Sequence, residues 1–269
     1  MKLISSYKEI FGLIFKLTGF HKIFERWLES EISKDPLPNH IAIILDGNRR
    51  WAKYRLFRID KGHFVGAEKA EDLLNWIYEL DIKITTVYVL SNENLEREDN
   101  ELTNIYTLLH GKLCKLRDDS RIHEKQMRIK AIGNLDVLPR DLQKILKVLE
   151  EETISYNSMF LNIAVAYSGQ KELLDAIKKI SFMVLSGRLK VDDINEKIIE
   201  SFLYTSHLPQ PCPDLILRTS GEKRLSGFLL WQAAYSELIF MDIFWPEFKK
   251  IDFMKAIRTY QNRVRRFGK

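Results

Sequence analysis

Short runs of β-branched and aliphatic residues alternate along this chain with longer stretches that carry apolar side chains at helical spacing. That alternation constrains the fold more than any other feature. His40–Leu45, Ile84–Leu90, Met127–Ile132, Phe160–Ala166 and Leu215–Arg218 read as strands, with Leu238–Phe240 a weaker sixth. Helical patterns around 65–80, 99–117, 139–153, 170–187 and 192–203 separate them. Strand and helix taking turns predicts an α/β domain: a mainly parallel central sheet of about six strands, surrounded by helices. Ligands of such sheets sit beyond the carboxyl ends of the strands. The chemistry is therefore expected near residues 45, 90 and 218.

Before the first strand, residues 3–28 repeat apolar side chains with a helical period: Leu3, Tyr7, Ile10, Ile14, Leu17, Phe24 and Leu28. This predicts an amphipathic helix that either packs on the domain body or lies on a membrane surface. Asp35-Pro36-Leu37-Pro38 breaks it, so 1–34 are expected to be a helical extension and 35–269 the main domain. Lys8, Glu9 and Lys16 interrupt its apolar stretch, which argues against a signal peptide. No apolar run reaches the roughly 18 to 20 residues that span a bilayer. The expected location is cytoplasmic, with peripheral attachment to the inner membrane face if the helix binds lipid. Cys114 and Cys212 are too far apart in the sequence to suggest a disulfide framework or a zinc site. Lys and Arg total 42 against 37 Asp and Glu, a net charge of +5. That surplus suits anionic partners without choosing among them.

Three strand ends carry polar clusters. The first is Leu45-Asp46-Gly47-Asn48-Arg49-Arg50-Trp51-Ala52-Lys53. Asp46 can hold a hard cation, Gly47 lets backbone approach a ligand, and Arg49 and Arg50 offer forked donors matched to phosphate. The second is Ser91-Asn92-Glu93-Asn94, with Arg97 three residues on. The third is Arg218-Thr219-Ser220-Gly221-Glu222-Lys223-Arg224-Leu225-Ser226, a basic, donor-rich loop suited to a second phosphate group, followed by apolar Phe228-Leu229-Leu230-Trp231. Each cluster alone could be a capped, solvated turn. Three on three strand ends point to one site.

In order and spacing these residues resemble the cis-prenyltransferases, the undecaprenyl and dehydrodolichyl diphosphate synthases. The resemblance extends from about residue 38 to Lys269 and includes the Gly62-His63 pair. The doubled arginine is most similar to archaeal and dolichol-type members. The resemblance implies condensation of isopentenyl diphosphate onto an allylic diphosphate with Mg2+, forming cis double bonds. It implies that Asp46 is the catalytic acid and a Mg2+ ligand, with Glu237 a second metal-associated carboxylate, and that Asn94 helps remove the proton. Gly47, Asn48, Arg49, Arg50 and His63 would cradle the allylic diphosphate, with Trp51 beside them. Ser91, Asn92 and Glu93 would line the reaction centre. Arg97, Arg218, Arg224, Leu225 and Ser226 would form the isopentenyl diphosphate pocket. A basic tail at Arg266 and Gly268 would reach a neighbouring subunit's substrate, so a homodimer is implied. Leu102, Ile105, Leu109, Leu113 and Leu116 would wall a hydrophobic tunnel.

Two positions depart from the family pattern. Ile59 replaces an arginine, for which Arg58 or Arg55 could substitute with shifted register, and Leu95 replaces an aromatic. The expected reaction is sequential head-to-tail condensation from a geranylgeranyl or farnesyl primer to a long polyprenyl diphosphate such as undecaprenyl diphosphate, a glycosyl-carrier precursor. The archaeal likeness favours geranylgeranyl. A non-catalytic supporting subunit is the alternative, against which Asp46, Asn94 and Arg218 all stand. A trans-type synthase needs two Asp-rich motifs on an all-helical fold; Asp118-Asp119 has no third acid, Asp192-Asp193-Ile194-Asn195-Glu196 comes close, and neither explains the alternating strands. The basic residues are not interleaved with stacking aromatics, so no nucleic-acid partner is expected.

Overall fold

The sequence's apolar runs become strands, most of them buried on both faces. In a computed structural model that describes residues 20–263, these strands are β1 (His40–Ile44), β2 (Ile84–Tyr88), β3 (Met127–Ile132), β4 (Met159–Ala164), β5 (Leu215–Arg218) and β6 (Glu237–Phe240). They form one sheet in the order β3-β4-β2-β1-β5-β6, and every pair is parallel. The chain builds β2, β3 and β4 on one side of β1, and later resumes at β5 on the other. β1 is thus the switch point, where crossovers part to opposite sides and leave a crevice at the strand's carboxyl end.

The described helices are α1 (Phe20–Ile32), α2 (Asn48–Tyr54), α3 (Ile59–Glu79), α4 (Asp99–Arg117), α5 (Ser120–Glu124), α6 (Arg140–Thr153), α7 (Gly169–Leu185), α8 (Glu196–Phe202) and α9 (Lys250–Gln261). The expected six-stranded parallel α/β architecture is present. α3 begins six residues before the pattern expected around 65–80, because Asp60, Lys61 and Gly62 blur its first turns.

The chain divides into two compact units. Residues 38–248 hold the sheet and its covering helices. In the other unit, α1 packs on α9: Lys250 pairs with Glu29, Arg258 pairs with Asp35, and the Gln261 amide donates to the Ile32 carbonyl at 2.8 Å. Residues 3–19 of the expected amphipathic helix, and Arg266 and Gly268, lie outside the described residues. Among the described residues no helix is long and apolar enough to cross a membrane.

Candidate active site

Parallel pairing sets Ile44 beside Tyr88 on one side and Arg218 on the other, so the three polar strand ends emerge together. Asp46 follows β1, and its backbone is pinned on three sides. Its N–H donates to Thr219 Oγ1 at 3.0 Å. Its carbonyl accepts from the Thr219 hydroxyl at 2.7 Å and from the Trp245 N–H at 3.0 Å. Gly47 then turns the chain at φ 112°, in the left-handed region. A Cβ there would lie 2.9 Å from Phe244 and 3.2 Å from Ser220, so the position demands glycine on both counts. Helix α2 starts immediately after, and its first N–H groups have no intrahelical acceptor.

Two arginines converge on one oxygen of this acid. Arg218 donates from Nη2 to Asp46 Oδ2 at 2.7 Å, and Arg50 donates from Nη2 at 3.0 Å. Burial pushes the Asp46 carboxyl up, but hydrogen bonds from Arg218 and Ser220 and the charge of Arg50 outweigh it and hold the group below the usual aspartate range. Asp46 is therefore ionised at neutral pH. Arg50 is also held by Ser220 Oγ at 2.6 Å and Glu222 at 2.7 Å, and Glu222 pairs with Arg224 at 2.8 Å. Arg218 donates to Ser226 Oγ at 2.8 Å. Ser220 and Ser226 both take left-handed backbone, at φ 81° and 50°, so the loop holds strained residues at the arginine contacts.

A second set of side chains gathers around Glu101, at 3.0 Å from His63 Nε2, 3.2 Å from Arg97 and 3.5 Å from Arg49. Burial pushes the His63 imidazole down, and Arg97 and Arg49 add to this against the pull of Glu101. His63 is therefore neutral at pH 7. Between the two sets lies a cavity of about 560 Å³, lined by six cations (Arg49, Arg50, Lys53, Arg97, Arg218 and Arg224) and two acids, Asp46 and Glu222. Such an excess of cations over carboxylates calls for anions.

Most of the residues expected in the site meet here: Asp46, Gly47, Asn48, Arg49, Arg50, His63, Ser91, Asn94, Arg97, Arg218, Arg224 and Ser226 line the cavity. Arg97 shares Glu101 with Arg49 and His63, whereas Arg50 shares acids with Arg218 and Arg224, so the ion pairs group these two arginines differently from the expected pockets. Ser91 and Asn94 hold each other, each backbone N–H donating to the other's side chain at 3.2 to 3.3 Å. Glu93 lines a neighbouring polar recess with Arg49 and Arg97.

Other expected residues stand elsewhere. Trp51 is buried, donating its indole N–H to Glu247 at 3.0 Å. Arg58 points to solvent beside Asp60, and Arg55 pairs with Glu247, so neither supplies the charge missing at Ile59. Asn92 is exposed, and Leu225 packs against an apolar cluster under the loop. Glu237 pairs with Leu215 at the start of β5, whereas Asp46 follows the end of β1. Parallel register thus puts the two carboxylates at opposite ends of the strands within this chain.

Two contributors escaped the sequence reading. Glu101 was readable only as an acid four residues after Arg97 on a helix. Tyr88 sits inside an apolar strand, yet its hydroxyl donates to the Tyr167 carbonyl at 3.1 Å and reaches the Ser226 carbonyl at 3.4 Å, bracing the arginine-holding loop.

No group of three or more potential metal-ligating side chains gathers among the described residues. Mg2+ is commonly bound by one or two carboxylates plus substrate phosphates, with water completing its octahedron. An ionised Asp46 with Oδ1 outside both arginine pairs, facing a phosphate-sized cationic cavity, fits that pattern.

The cavity continues into apolar space. Leu45, Asn48, His63, Val89 and Ile105 also line a chamber of about 130 Å³, which shares Ala67, Ala70 and Leu109 with a third of about 340 Å³. Ile105, Leu109, Leu113 and Leu116 of the expected stripe face these spaces, and Leu102 does not. Asn48 fits against α3 because positions 62 and 66 are glycine. A Cβ at either would come within 2.3 Å of it.

Residues 44–268 match the family model described as undecaprenyl diphosphate synthase. A tritrans,polycis-undecaprenyl-diphosphate synthase (geranylgeranyl-diphosphate specific) of Methanocaldococcus jannaschii is 48% identical over 94% of this chain and 90% of its own. The Picrophilus torridus protein of the same description is 47% identical over 92% of this chain and 96% of its own. The crystal structure of lavandulyl diphosphate synthase from Lavandula x intermedia, in complex with dimethylallyl diphosphate, superposes with a TM-score of 0.82 at 34% identity. It covers 87% of this chain and 99% of that one.

Proposed function

This chain belongs to the undecaprenyl diphosphate synthase family, and from that premise we propose that it extends geranylgeranyl diphosphate with isopentenyl diphosphate to a polyprenyl diphosphate of undecaprenyl size. One observation carries the reading: an ionised acid braced by two arginines stands where a strongly cationic cavity meets an apolar tunnel. An amphiphile with a diphosphate head and a long hydrocarbon tail matches both halves.

The allylic C1–O bond breaks, and the diphosphate leaves with the electron pair. The isopentenyl C4 attacks C1, and loss of a proton from C2 places the new cis double bond. Arg49, Arg97, His63 and the first N–H groups of α2 would hold the leaving diphosphate and take up its developing charge. Arg50, Arg218, Arg224 and Ser226 would fix the isopentenyl diphosphate so that its alkene lies against C1. Asn94, oriented by Ser91, would relay that proton to an oxygen of the departed diphosphate, the base the step itself releases. Mg2+ held by Asp46 and substrate oxygens would supply charge neutralisation at the departing group.

A homodimer is part of this reading, supported by exposed apolar side chains on α7: Leu174, Ile177, Phe182 and Leu185. Cytoplasmic placement and lipid contact through residues 3–28 also belong to it, as does a separate role for an amino-terminal extension spanning 1–34. The product would serve as a precursor of a glycosyl carrier lipid. The supporting-subunit alternative leaves an intact acid and its arginines without purpose. Incubation with Mg2+, labelled isopentenyl diphosphate and a panel of allylic primers tests the reading. Long products that disappear with Asp46→Ala, most abundant from geranylgeranyl diphosphate, are expected. A folded protein that extends no primer overturns it.

A further inference from the structure

Helix α2 begins at the cavity and ends in a turn that none of these roles uses. At most helix ends of this kind the left-handed position is filled by glycine. Here it is Leu56, at φ 57°, and its side chain is 93% exposed. The turn is not loose: the Leu56 N–H donates to Lys53 O at 3.2 Å and the Phe57 N–H to Ala52 O at 2.8 Å. A strained backbone is held firmly, and it carries a large apolar side chain into solvent. Tyr54 (69%), Phe57 (50%) and Phe64 (44%) are exposed around it. Phe57 keeps one edge on Trp51, at 5.6 Å between ring centroids, and Tyr54 leans on Phe244 at 6.4 Å, so these rings have fixed positions.

Cations frame this apolar cap. Lys53, Arg55, Arg58 and Lys61 are interspersed with it along the chain, against the acids Asp60 and Glu247 that pair with Arg58 and Arg55. Lys61 lies over the Phe64 ring at 5.1 Å. Across residues 49–64 there are six Lys or Arg and one Asp, a net +5 that equals the charge of the entire protein. Exposed aromatic and aliphatic side chains within a basic frame match the interface of an anionic bilayer, where rings sit at headgroup level and cations meet lipid phosphates.

We propose that the 53–64 turn is a docking surface for an anionic lipid bilayer. It is distinct from any contact made by residues 3–28, and it sets the cavity mouth at the headgroup layer. The purpose of the docking rests on the polyprenyl-product reading, but its geometry does not. Lys53 belongs to both places, lining the cavity and closing the turn.

The test is sedimentation of the full-length protein with vesicles of phosphatidylglycerol and phosphatidylcholine, or of phosphatidylcholine alone. Leu56→Asn keeps the backbone conformation, since asparagine tolerates it, and removes the apolar tip. Combined with Tyr54→Ser it should weaken binding to the anionic vesicles about tenfold, leaving elongation in detergent unchanged. Asp46→Ala should bind as the parent does, so failure of the catalytic reading and failure of docking are separable. Parent-level binding by the double variant would assign the lipid contact to the terminal segment and overturn the proposal. So would a change in oligomeric state instead of vesicle binding, which would make the cap a contact between copies.

Discussion

Two polar networks cross the same sheet, and they are built in opposite ways. At the carboxyl ends of the strands, Asp46, Arg50, Arg218 and Glu222 are joined by ion pairs, and they border open space. Closer to the amino ends, the second network is sealed. His40 Nε2 meets Thr86 Oγ1 at 2.9 Å, the Asn162 amide donates to the same oxygen at 3.3 Å, and Asn162 Oδ1 meets His207 Nε2 at 2.9 Å. Burial pushes His40 down to about 4. Burial, with Lys130 and Arg128 nearby, pushes His207 down to about 3. The sealed row spends its hydrogen-bonding capacity on itself and works by staying neutral. The open cluster holds surplus cations that only a ligand can balance. Polar residues beside a parallel sheet thus mark a site when charge is left over, and a structural tie when it is not.

Changes on either side sharpen that contrast. The largest expected effect on stability is Asn162→Leu, which strips partners from Thr86 and His207 together. It should cost about 2 to 3 kcal/mol by chemical denaturation, while the KM for either substrate stays put. A shift in KM without lost stability would make the row part of the site. Glu101→Gln should do the reverse. With Arg49 and Arg97 no longer anchored by charge, the KM for the allylic substrate should rise about tenfold with kcat nearly unchanged and melting unaltered. An unchanged KM would reduce Glu101 to a bystander.

A third contrast concerns pH. Unfolded histidine titrates near 6.5, but folded His40 and His207 accept protons only near 4 and 3. The unfolded chain therefore binds more protons as pH falls below 6.5. Stability should drop by at most about 1.4 kcal/mol per pH unit for each histidine between 6.5 and about 4. His207→Gln should flatten the fall in melting temperature over that window, and equal slopes in both proteins would remove His207 from the account.

Much of this was legible in the sequence. Met127–Ile132 and Leu215–Arg218 are strands with the very ends read from their apolar runs, and the other strands shift by at most two residues. Asp46, Arg49, Arg50, Arg97 and Arg218 were legible because each lies at or just past the end of an apolar run, where hydrophobic patterning stops and chemistry starts. What stayed hidden depends on the third dimension. The strand order follows from crossovers that no local pattern records, and only that order reveals that Glu237 sits at the far edge. Glu101 hid among the polar residues at the start of α4, and Tyr88 looked like any aromatic in a strand. The short α2, with two arginines and a lysine in seven residues, carries too little apolar periodicity to announce itself.

Leu45 and Val89 line all three connected spaces, the cationic cavity and both apolar chambers. On the reading proposed above, such a doorway would make the chain under construction its own measuring tape. Every cycle would present the headgroup pocket with the same allylic terminus, while one more five-carbon unit would be fed past these two side chains. What distinguishes the first turnover from the last would then be only how much tail has gone through the door. Counting would be done by storage volume, and the chemistry behind it would never need to know the total.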